Sequence, residues 1–160
     1  MTRPLLLLLA ALLAGCATGA GGGARVFGVV VDPALTGELL LDMRGTLVPL
    51  GGVDVVVDQL ARLGGARVAI QGTARPSGVF ARGYEMLEAP DGLPPHIGVL
   101  VVDQSGVVLR DEVDGVALAL RSAELANIKR HHGARLWITG SLVGPQALLV
   151  AHWGVLIDAP

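Results

Sequence analysis

Aromatic side chains are scarce in this chain: two Phe, two Trp and one Tyr make up 3% of its 160 residues. Its core must therefore be packed from Val, Leu and Ala around 23 Gly, which favours short strands and tight turns over long helices. Cysteine occurs once, at Cys16, so no disulfide closes within the chain. Charge is thin as well, with 12 Lys and Arg against 14 Asp and Glu and a net charge of −2. The basic footprint of a nucleic-acid binder is missing, and that partner is not expected. The apolar run at 5–12 falls far short of the roughly 20 residues a helix needs to span a bilayer. No P-loop, nucleophile elbow, zinc-ligand spacing or dinucleotide fingerprint is found, and neither a metal nor a cofactor is expected.

What is present begins at the N-terminus. Thr2, Arg3 and Pro4 form a short positive start, and the apolar run 5–12 follows. Leu13-Ala14-Gly15-Cys16 then resembles the lipobox of bacterial lipoproteins. That resemblance implies a signal peptide over 1–15, cleavage after Gly15, and diacylglyceryl attachment to the Cys16 thiol. Acyl chains on one residue make a stable anchor, since each buried methylene contributes about 0.8 kcal/mol. Ala17 follows the cysteine where an Asp often marks inner-membrane retention, which favours the outer membrane of a double-membraned cell. Residues 16–24 read as a flexible tether.

The remainder is written twice. Displaced by 70 positions, Val26-Phe27-Gly28-Val29-Val30-Val31 lies over His96-Ile97-Gly98-Val99-Leu100-Val101, and the match continues without a gap from 26 to 50. After a two-residue slip, Gly65-Ala66-Arg67-Val68-Ala69-Ile70-Gln71-Gly72 lies over Gly133-Ala134-Arg135-Leu136-Trp137-Ile138-Thr139-Gly140. The second copy predicts strands at 97–102, 107–112 and 116–121, with Val113-Asp114-Gly115 as a hairpin turn. Ser122 is the expected N-cap of a helix over 123–130, with Leu125 and Ile128 inward, before strands at 134–140 and 147–156. The first copy predicts strands at 26–31, 38–42 and 46–50, a helix over 55–63, and strands at 66–74 and 83–88.

Three strands, a short helix and two strands is the order of a five-stranded Greek-key barrel, and the pattern resembles the OB-fold. The resemblance implies a mainly β protein of two tandem OB-like barrels, 25–89 and 96–158, joined by a Pro-rich linker at 90–95. A single barrel or sandwich in which the two halves pair strands is the competing architecture. Copies of about 65 residues are small enough to need a shared apolar interface.

Chemistry-bearing residues are few. Adjacent His131 and His132 at a helix end point in different directions, which suits solvated partners of the helix dipole better than a metal site. Arg110, Asp111, Glu112, Asp114 and Arg121 gather around the second hairpin. With His152, those carboxylates are the basis of an alternative reading as an envelope hydrolase. Strand alternation places Arg135, Trp137 and Thr139 on one outward face, a candidate binding surface together with Arg110, Asp111 and Arg121. Trp137 alternatively covers the seam between the copies. The leading expectation is a lipid-anchored, non-enzymatic envelope protein that binds a protein partner, with cell-wall glycan second.

Overall fold

The computed structural model describes residues 24–104 and 106–160. The expected signal peptide, the expected lipidation at Cys16, the expected tether through residue 23, and Ser105 lie outside the described residues.

The chain is mainly β. In order it runs β1 (Ala24–Val31), α1 (Pro33–Thr36), β2 (Leu40–Met43), β3 (Thr46–Gly52), α2 (Asp54–Ala61), β4 (Arg67–Arg75) and β5 (Gly78–Glu88). It continues with β6 (His96–Asp103), β7 (Gly106–Asp111), β8 (Ala117–Arg121), α3 (Leu125–Lys129), β9 (Arg135–Leu142) and β10 (Ala147–Ile157). The first five strands close in the order β1-β2-β3-β5-β4, and the second five in the order β6-β7-β8-β10-β9. Among the described residues, every strand pairing stays within its own half.

The two closures agree rung by rung. Phe27 pairs with Ala69 and Val29 with Arg67, as Ile97 pairs with Trp137 and Val99 with Arg135. Tyr84 opposes Ile70, and Trp153 opposes Ile138. The bulges coincide too, each hairpin being interrupted after Gln71 or Thr139 and again at Arg67 or Arg135. A bulge adds a residue to one strand and steepens its twist, which helps a short sheet curl closed. The same turn follows α2 and α3: the Gly65 N–H donates to the Val30 carbonyl and the Gly133 N–H to the Leu100 carbonyl, both at 2.8 Å. These two glycines have φ of 84° and 83°, a left-handed conformation that costs glycine little.

Three expectations are corrected. The gapless match over 26–50 breaks at β2, where Leu41 occupies the rung of Leu109, two residues out of step. The cause is α1, which lengthens the β1–β2 connection. Asp32 caps it by accepting the Ala34 N–H at 2.9 Å, Pro33 opens it, and Gly37 ends it left-handed at φ 74°. The longer β7–β8 turn then restores the step, since Asp42 pairs with Leu47 but Arg110 with Ala117. The closing strand of the first half starts at Gly78 rather than 83, directly after the turn from β4. Finally, Ser122 does not cap α3: its Oγ accepts the Glu124 N–H at 3.0 Å, and Glu124 is the cap residue of a helix shortened to Leu125–Lys129.

Two apolar clusters fill the barrels. Val30, Leu41, Leu60, Leu63 and Ile70 anchor the first, and Leu100, Leu109, Ile128, Leu136 and Ile138 the second. Trp137 and Leu156, from the second half, belong to the first cluster, with Ile97 packed against it. The halves are therefore joined by a shared apolar seam.

Candidate binding surface

β9 brings its outward face to that seam. Trp137 is only 7% exposed and Thr139 is fully buried, so the outward surface expected from alternation is closed by the first barrel. Its polar groups are tied across the junction. The Arg135 guanidinium donates twice to Glu112, through Nε and Nη2 at 2.8 Å each, and through Nη1 to Gln59 Oε1 at 3.1 Å. Tyr84 donates its hydroxyl to the same Gln59 oxygen at 2.9 Å. Burial pushes the Tyr84 phenol above its ordinary pKa; the adjacent Arg135 charge opposes that shift and Glu112 adds to it. The Glu112 hydrogen bonds hold Arg135 more firmly protonated than usual, although its burial works the other way.

The loop between the halves is docked as well. Its Asp91 Oδ2 accepts the Thr139 hydroxyl at 2.5 Å, and Oδ1 accepts the Leu93 N–H at 3.0 Å. Desolvation raises the Asp91 pKa, but the Thr139 and Leu93 bonds and the nearby His152 bring it below the ordinary value. An Arg62–Asp158 ion pair at 2.8 Å ties the end of α2 to the C-terminal segment.

The other candidates separate. Arg110 lies on the rung of Val99 and Arg135, exposed, and Arg121 is exposed at the end of β8. Asp111 is buried, and both its oxygens are engaged: Oδ2 lies 3.2 Å from His96 Nδ1, and Oδ1 accepts the Val113 N–H at 2.8 Å. His152 is placed opposite Thr139, not beside Asp111. The hairpin carboxylate thus closes a turn, and its histidine is His96. His131 stacks obliquely on Trp153 with 5.3 Å between ring centroids, and His132 Nδ1 accepts the Val102 N–H at 2.9 Å. Among the described residues, no group of three His, Cys, Asp or Glu converges as metal ligands would.

No family model, no curated protein and no solved structure matches this chain. Its site must therefore be read from its own surface.

An exposed apolar surface lies on the first barrel. Val29 on β1, Asp42 on β2 and Leu47 on β3 share one rung, and Val31, Leu40 and Pro49 the next. Phe27 continues the patch along β1. Phe27 is 51% exposed, Val29 38% and Leu47 55%; other exposed apolar side chains, among them Leu35, Val113, Leu142 and Leu149, lie elsewhere on the surface. Ion pairs Arg25–Glu85 and Arg67–Glu88 edge the patch on the β4–β5 side. Around the β2–β3 turn, Met43, Leu47, Pro49, Pro76 and Val79 line an apolar pocket of about 420 Å³ at the barrel end. Contiguous exposed apolar area rimmed by polar groups marks interaction sites. The sequence carried a signal for this patch: Val-Phe-Gly-Val-Val-Val at 26–31 is apolar on both faces of a strand that should be polar outside.

Proposed function

We propose that this chain is a lipid-anchored envelope protein built of two tandem OB-like barrels, and that it binds a protein partner without catalysing a reaction. The matched rungs, bulges and helix-end turns of the two halves support the duplication. The strand order, with a helix between the third and fourth strands of each half, supports the OB-like reading. The observation that carries the function is the open Phe27–Val29–Leu47 face, which runs from β1 across β2 to β3 and so adjoins the strand 2–3 face that OB-folds use for ligands. Phe27 and Val29 share a groove with Asp42, Arg44 and Arg67, and aliphatic Val29 and Leu47 beside the single ring suit a protein contact, with a glycan second. The engagement of Asp111, through Oδ1 in a turn and Oδ2 with His96, and the placement of His152 away from it weigh against the hydrolase alternative.

A photo-crosslinking residue at Leu47 in the full chain, in cells, tests the binding face. A discrete adduct that disappears with Val29→Asp is expected. A chain that crosslinks to nothing, or only to lipid, removes the reading. The anchor is tested separately by mass: the mature N-terminus should carry lipid on Cys16, and Cys16→Ser should release the protein from membranes.

A further inference from the structure

The seam inside the molecule joins two different surfaces. The second barrel presents the outward face of β6 and β9, with Ile97, Arg135 and Trp137. The first barrel receives it with Gln59 of α2 and Tyr84 of β5. Each barrel has a version of both surfaces, because the two halves share register. On the first barrel, Phe27 stands at the position of Ile97, Arg67 at that of Arg135, and Ala69 at that of Trp137. On the second barrel, Trp153 stands at the position of Tyr84. Asn127 stands at that of Gln59, since the Arg62 N–H bonds Gln59 and the Arg130 N–H bonds Asn127 in the same helix-end turn.

Within one chain, Phe27 and Arg67 on the presenting face of the first barrel and Asn127 on the receiving face of the second are exposed, while Ala69 is buried and Trp153 is partly covered by His131 and Glu124. Phe27 is half exposed, whereas its counterpart Ile97 is packed into the seam.

We propose that the partner of the open face is a second copy of this chain, docked head to tail: the β1–β4 face of one molecule against the α3–β10 face of the next, repeating the contact between its own two barrels. The proposal rests on the binding-module reading and names its partner. A contact between two unlike surfaces leaves one of each free after every addition, so it extends into a filament or closes into a ring. Arg67 of one copy then donates to Asn127 of the next, as Arg135 does to Gln59. Anchoring on one membrane would raise the local concentration of such copies.

Cysteine substitutions in the full chain, held in its native membranes and treated with a short bis-maleimide, decide it. Arg67→Cys combined with Asn127→Cys should give a ladder of crosslinked multimers. Either substitution alone should add nothing to the background of Cys16. Chains carrying one substitution each, expressed together, should stop at dimers. Phe27→Asp, or Val29→Lys should Phe27→Asp fold poorly, should abolish the ladder with the circular dichroism spectrum unchanged. The proposal is overturned by a double variant no more crosslinked than the singles, or by strong dimers from one single variant, which indicate like-to-like pairing. It is overturned equally by a Leu47 photo-adduct made only with a different protein, an outcome that leaves the binding-module reading standing.

Discussion

Gly154 lies directly against the indole of Trp137: a Cβ built at 154 would sit 2.6 Å from Nε1 and 2.8 Å from Cε2. The absence of a side chain on β10 is what lets the tryptophan of β9 lie down into the seam between the barrels.

Gly154→Ala must displace that buried ring. Overpacking of this kind costs about 1–3 kcal/mol. Urea unfolding should show that loss, with a shift in tryptophan emission under native conditions. An unchanged midpoint would mean the ring swings aside without penalty.

Trp137 itself should separate two contributions. The indole Nε1–H is buried and has no hydrogen-bond partner, and an orphaned donor costs about 1–3 kcal/mol. Trp137→Phe removes that donor and keeps most of the apolar volume, so its loss should be small. Trp137→Ala should lose about 3–5 kcal/mol, typical of emptying a large aromatic site. Equal losses from the two variants in denaturant titrations would show that the N–H is satisfied in solution.

Tyr84 is the only tyrosine of the chain, so phenolate absorbance near 295 nm reports it alone. Its pKa is raised in the folded state, principally by burial. The stability it contributes is therefore complete below the unfolded value of about 10 and is lost as pH rises through the folded value. The native midpoint should lie above that of the urea-unfolded chain. Arg135→Met should move it higher still, because the Arg135 charge opposes the shift. A native midpoint equal to the unfolded one would indicate an open seam.

Asp91 gives the opposite sign. Its folded pKa is lowered by the Thr139 and Leu93 hydrogen bonds against an opposing desolvation. Its contribution is present above the unfolded carboxylate value and lost as pH falls through the folded one. Thr139→Val removes one donor, so the Asp91 carboxyl should titrate at higher pH in a carbon-detected NMR series, and stability should fall less steeply in acid. An Asp91 titration unmoved by Thr139→Val would place the loop off β9.

Much of this architecture is legible in local pattern. The strings Gly65-Ala66-Arg67 and Gly133-Ala134-Arg135 mark the same turn into the same strand, because a left-handed residue after a helix selects glycine. The Asp32-Pro33 start and Gly37 stop of α1 were equally readable as caps. The early start of β5 was obscured by Pro76 and Gly78, which interrupt the apolar pattern although they belong to the tight turn from β4.

The candidate site was less accessible. Alternation correctly set Arg135, Trp137 and Thr139 on one face, but period-two patterning tells only which residues share a face, not what covers it. Phe27 and Trp137 occupy adjoining ladder positions of equivalent strand pairs, and one is open while the other is closed. Asp111 likewise reads as a hairpin charge, while the fold pairs it with His96, fifteen residues away, instead of His152.

Sequence alone determined the mainly β character and the order of strands, because each rests on residues near one another; the leader and the duplication are proposals read from the same sequence. Tertiary structure decided which of two equivalent faces was buried. That choice depends on how one barrel lies against the other, where the bulk of Trp137, the gap at Gly154 and the hydrogen bonds of Gln59 meet across more than seventy residues of chain.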